Sequence, residues 1–219
     1  VRAVTQRVSS SPVAPIELAT GDTVDFDGLV ERLTILGYSR TDRAETRGEF
    51  AVRGGIIDVF PPTIDDPVRI DFWGDQIEAM RTYGASSQRS IDERETLEVY
   101  PARELLNDGN VAARAMDLRR EASWAAETWD RLADGLTFQG MESWLPWLAP
   151  ARTVMDEMDH PIIVFDPARC SDRANDLISE ESDLAAALAG TWGAGAPEAG
   201  DHPPLYLPLD LEAVGDRVL

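Results

Sequence analysis

Residues 48–80 read GEFAVRGGIIDVFPPTIDDPVRIDFWGDQIEAM. The stretch predicts three strands in a small meander. The first covers about 49–60 and is stopped by Pro61-Pro62. The second covers 67–73, where Val68, Ile70 and Phe72 point one way and Arg69, Asp71 and Trp73 the other, because successive strand side chains alternate between faces. Gly74-Asp75 turns the chain into a third strand, about Gln76 to Tyr83. The short connections imply antiparallel neighbours. Glycine inside a strand often marks a bulge or a close backbone approach, so Gly54-Gly55, directly after Arg53, is expected either to re-aim that side chain or to let a partner come near. One face is then apolar, and the other shows Arg53, Arg69 and Trp73 to water. Arginine and tryptophan are the types most enriched at binding hot spots, so the set reads as an interaction face. The competing reading is a solvated face with cross-strand pairs to Asp58 or Asp71. If the arginines are exposed, truncating them leaves stability within about 0.5 kcal/mol.

Outward from this stretch, Leu29, Val30, Leu33 and Leu36 recur at helical spacing between a possible cap at Asp25 or Asp27 and a closing Gly37. Residues 9–15, SSSPVAP, form a breaker-rich linker. Residues 111–134 read as one long helix, 140–150 as a short apolar helix interrupted by Pro146, and 171–190 as a further helix. HPIIVFDP (160–167) reads as a buried strand halted by Asp-Pro, LYLPLDL as a last edge strand, and 191–204 as a loop. The second half is therefore expected to be α/β and the first α+β.

Composition narrows the function. The chain has 219 residues and a formal net charge of −20, a field that repels phosphates and disfavours a stand-alone nucleic-acid binder. All twenty cationic residues are arginine. Without lysine there is neither a P-loop lysine nor a Schiff base in this stretch. Cys170 is the single cysteine, which fits a reducing, cytoplasmic setting, and no apolar run is long enough to span a bilayer. His160, His202 and Cys170 lack zinc-ligand spacing, so no metal or cofactor is expected. Asp65-Asp66 and Asp156-Glu157-Asp159 read as solvated loop charges. Trp144 and Trp147 share a helix face and read as core rather than as a membrane anchor. Val1 is not a natural initiator, and the opening reads as the tail of an element already under way, which suggests a fragment.

GEFAVRGGIIDVFPP, PVRIDFWGDQIEAMRTY, SSQRS and LEVYPARELL closely resemble the UvrA-binding domain found in the excision-repair protein UvrB and in bacterial transcription-repair coupling factors. SQRS and GMESWLPWL are more similar to the coupling factors. The resemblance is specific over about 24–106 and weaker to 219. It implies the end of one RecA-like segment with a linker at 1–22, a UvrA-binding insert at 23–101, and a second, degenerate RecA-like segment without a nucleotide site at 102–219. It also implies a non-catalytic protein-interaction module for nucleotide excision repair. That module would recruit UvrA to lesions where RNA polymerase has stalled. The ATP-driven DNA translocase and the contacts to RNA polymerase and DNA would lie in segments outside this stretch. Carried over position by position, the family's contact residues fall on Arg53, Arg69 and Trp73, where many relatives have phenylalanine, with Asp71 and Glu78 as weaker additions. The alternatives are a UvrB fragment acting in lesion loading, and an autoinhibitory clamp in which the same face packs on downstream domains of its own chain.

Overall fold

The computed structural model describes residues 1–9, 13–158, 161–188, 195–198 and 201–211. It divides into two compact units, Val13–Leu106 and a second made of Val1–Pro12 with Asn107–Leu219. His160, part of the SSSPVAP linker and much of the 191–204 loop lie outside the described residues.

The unit Val13–Leu106 is built on a six-stranded sheet of β2 (Ser39–Arg40), β3 (Glu49–Arg53), β4 (Ile56–Val59), β5 (Val68–Trp73), β6 (Gln76–Tyr83) and β7 (Ser90–Arg94), in that spatial order. β2 and β3 run parallel, and every later pair is antiparallel. A separate two-stranded sheet joins β1 (Ile16–Ala19) to β8 (Thr96–Val99). This pairing makes β1 part of the unit, which therefore begins ahead of the boundary at residue 23 that the sequence suggested.

The expected first strand, 49–60, is two strands. Gly54-Gly55 is not a bulge within one strand but the two-residue turn of a hairpin, closed by the Arg53–Ile56 pair. Gly54 takes a φ of 60°, which side chains other than glycine's rarely tolerate. A second hairpin follows the same plan, with Gly74 at φ 61° between paired Trp73 and Gln76. The bulge lies in β6 instead. Asp71 faces Ala79 and Phe72 faces Ile77, so Glu78 is the extra residue.

Helix α2 (Phe26–Ile35) buries Leu29 and Leu33 in one core with Phe50, Ile57, Val59, Val68, Ile70, Phe72, Ile77 and Met80 from the sheet. Each such side chain contributes roughly 1.5–3 kcal/mol by leaving water. Phe26 meets Phe72 edge-to-face with ring centroids 5.1 Å apart. Val68, Ile70 and Phe72 are buried while Arg69, Asp71 and Trp73 are not, the alternation expected from their spacing.

The second unit is mainly helical among its described residues. Its helices are α1 (Arg2–Thr5), α3 (Gly109–Glu121), α4 (Ala126–Ala133), α5 (Leu145–Leu148), α6 (Val154–Glu157) and α7 (Pro167–Leu188). The long helix expected over 111–134 is broken at Ala122, whose φ of −132° and ψ of 63° are not helical. The break lets Trp124 join a cluster with Trp129, Trp144 and Trp147, with ring centroids 4.9–6.3 Å apart. Trp129 is fully buried and its indole N–H donates to the Ala122 carbonyl at 2.8 Å. The WLPWL tryptophans are thus packed side chains.

Two expected strands are not formed. Residues 161–166 carry one bridge residue, Ile162, while Ile163 and Phe165 are exposed. The Asp-Pro pair is a helix start rather than a strand stop. Asp166 Oδ1 accepts from the Arg169 amide at 3.3 Å and Pro167 opens α7, a position where its missing N–H costs nothing. The LYLPLDL segment contributes a single bridge, Tyr206 with Gln6.

The Gly54-Gly55 hairpin lies against β5. The Phe72 amide donates to the Gly55 carbonyl at 2.8 Å, and a Cβ on Gly55 would stand 2.9 Å from the Phe72 carbonyl oxygen. Gly55→Ala should push the hairpin away. The expected outcome is a lower melting temperature and faster hydrogen exchange at the Phe72 amide.

Candidate interaction face

The outward face of the six-stranded sheet is set by register. Asp58 on β4 is opposite Ala51 on β3 and Arg69 on β5, while Arg69 is opposite Arg81 on β6. Arg53 closes the hairpin one diagonal step from Asp58. Three guanidinium groups therefore converge on a face with two central carboxylates, Asp58 and Asp71.

Asp58 is 1% exposed and takes both flanking arginines. Arg69 donates through Nε to Oδ1 at 2.7 Å and through Nη2 to Oδ2 at 2.9 Å, the two-pronged geometry that suits a guanidinium to a carboxylate. Arg53 donates through Nη2 to the same Oδ2. The Arg69 guanidinium also lies over the Tyr83 ring, 4.7 Å from its centroid. The hydrogen bond to Asp58 raises the Arg69 pKa above the ordinary guanidinium value, against the opposing effect of burial. Burial likewise pushes the Tyr83 hydroxyl upward, and it donates to the Ala44 carbonyl at 3.0 Å. Farther along the face, Arg81 pairs with Asp71.

The predicted residues are brought together unequally. Trp73 is 76% exposed at the end of β5. The Arg53 side chain is 45% exposed, but that of Arg69 is only 18% exposed. The expectation that Arg69 stands open to water is corrected here: its fork is already engaged by Asp58 and its flat face by Tyr83. Asp71 is half-buried against Arg81, and Glu78 is exposed at the bulge. Sequence reasoning missed Gln88, whose Oε1 accepts from Arg69 Nη2 at 3.4 Å and whose Nε2 donates to the Ala85 carbonyl at 2.7 Å. Its backbone is left-handed, with φ 57°, a conformation that no side-chain pattern reveals.

Residues 16–105 match the model of the UvrB interaction domain. Over this stretch the chain is similar to the UvrB interaction domain. Over 215 residues, 92% of the chain, the sequence is 39% identical to the transcription-repair-coupling factor of Mycobacterium bovis, and over 219 residues it is 34% identical to that of Myxococcus xanthus. UvrABC system protein B of Thermotoga petrophila is 30% identical over 106 residues, 48% of the chain. The relationship to coupling factors thus runs through both units, whereas that to the UvrB protein covers about half the chain, which disfavours a UvrB fragment. The chain spans 17% and 18% of the length of the two coupling factors and 16% of the UvrB protein. No described helix is long and apolar enough to cross a membrane.

Within residues 16–105 the two most conspicuous positions should respond differently to truncation. Arg69→Ala leaves the buried Asp58 carboxylate with Arg53 alone, and an under-satisfied buried acceptor costs about 1–3 kcal/mol. This replaces the expectation of an unchanged stability at Arg69. Trp73→Ala removes an exposed ring and should stay within about 0.5 kcal/mol. Chemical denaturation of the two variants beside the parent chain measures the difference.

Proposed function

We propose that this chain is an interaction module of a transcription-repair coupling factor that recruits UvrA, and that it docks through the outward sheet face centred on Arg53 and Trp73. The observation that carries the reading is that the outward face of the sheet, within the stretch similar to a UvrB interaction domain, carries both the bare indole of Trp73 and the half-exposed guanidinium of Arg53. A large rigid ring left in water costs solvation and gains nothing within this fold, whereas at an interface it supplies contact area with little loss of freedom. Asp71, paired with Arg81, and the exposed Glu78 add polar groups to the face, and Arg69 acts through Asp58, which it shares with Arg53. Residues 102–219 are taken as a degenerate RecA-like continuation, in support of which the coupling-factor relationship covers 92% of the chain. In this reading the chain itself is non-catalytic and works in the cytoplasm. DNA translocation and contact with RNA polymerase belong to other segments of the longer protein.

Purified UvrA titrated against the chain tests the assignment. Arg53→Ala and Trp73→Ala should each weaken binding by about 1–3 kcal/mol, the range of an interface hot spot. Trp73→Ala should keep the parent's melting temperature, while Arg53→Ala, which leaves Asp58 to the two-pronged Arg69, should lower it less than Arg69→Ala does. Affinity left intact in both variants would reject the face as the docking site.

A further inference from the structure

We propose that Asp58 is a positioning residue of the docking face, whose buried carboxylate holds the Arg53 guanidinium in its binding orientation before any partner arrives. The inference rests on the docking reading above and adds to it a residue that a partner cannot reach.

Stability alone does not account for Asp58. A buried ion pair is often no more stabilising than apolar side chains of similar volume, because desolvation of the charges offsets their attraction. β4 already buries Ile57 and Val59, yet the intervening position carries an acid that is 1% exposed. The geometry shows what the acid accomplishes. Arg53 and Arg69 come from the two strands flanking β4, and two guanidinium groups converging there would repel each other. Asp58 Oδ2 accepts from Nη2 of both, so one oxygen cancels the repulsion and ties the two side chains together.

The Arg69 side of this bridge is anchored at several points. Its Nε and Nη2 grip both Asp58 oxygens, its plane covers Tyr83, and Gln88 Oε1 accepts a further bond from Nη2. Tyr83 is in turn fixed through Ala44. Arg53 therefore hangs from a rigid chain of contacts, with 45% of its side chain still facing water. A long arginine held this way loses less conformational freedom on docking than one free to rotate. In chain order the relay is Tyr83 to Arg69 to Asp58 to Arg53.

Titration of UvrA against Asp58→Asn, Arg53→Ala and the double variant tests this. Asparagine keeps the size and one acceptor oxygen but loses the charge. Asp58→Asn is expected to weaken UvrA binding by about tenfold, and the penalty for Arg53→Ala should shrink in its presence, since residues acting through one another are non-additive. A purely structural role would leave the two penalties multiplying independently, and that result overturns the proposal. So does parent-like affinity in Asp58→Asn while Arg53→Ala is weakened. Parent-like affinity in Arg53→Ala instead removes the docking role of Arg53 itself. Should Asp58→Asn fail to fold, the parent chain still decides the matter. Nuclear magnetic resonance of its arginine Nε–H groups should show Arg53 as restricted and slow to exchange without UvrA, and free rotational averaging of that group overturns the inference.

Discussion

The register between β4 and β5 governs the chemistry of the outer face. It sets Asp58 directly across from Arg69, with Arg53 one diagonal away. Because side chains alternate along a strand, a slip of one residue would carry Arg69 into the core and Ile70 into solvent. The apolar inner face forbids that slip. Ile57 and Ile70 are paired across the strands and are both buried in the core that α2 covers. Two glycine-led hairpins keep the neighbouring strands in the same register. Packing on one side of the sheet thus fixes the electrostatics on the other.

That arrangement resolves the tension between a strongly acidic chain and an arginine-bearing face. Arg53 and Arg69 share the single charge of Asp58, while Arg81 has Asp71 and Glu93 as neighbours, so a local positive excess is confined to the Arg53–Asp58–Arg69 group within a net charge of −20. A local excess of this kind is felt at short range, within about a Debye length of 8–10 Å at ordinary ionic strength. Beyond that distance the overall acidity prevails and discourages association with nucleic acid. Arg69 is mostly interior to this arrangement, and Trp73 and Arg53 are its outward parts.

Much of this was legible in the residues. The leucine spacing of α2 and the alternation in β5 are direct consequences of helical and strand periodicity, and both elements formed where their patterns placed them. The Gly54-Gly55 turn was harder to see, because apolar residues continue on both sides of it and neither strand exceeds five residues. The four-residue strands β1 and β8 pair across most of the unit, which no local pattern announces. An apolar run was insufficient at 161–166, where the turn chemistry of Asp166-Pro167 starts a helix. Within the face, the exposure of Trp73 followed from its parity. The depth of Asp58 did not, since parity assigns a side of the sheet but not how far neighbouring arginines cover it.

Among the described residues, the distribution of indoles gives an optical separation. Trp124, Trp129, Trp144 and Trp147 are stacked among themselves in one unit, while Trp73 stands alone in the other with most of its surface wet. A dissolved collisional quencher such as iodide or acrylamide reaches the solitary ring far more readily than the clustered ones. With Trp192, which lies outside the described residues, replaced by phenylalanine, the red edge of the emission band is weighted toward Trp73, and shielding of that ring can be followed without attaching any dye.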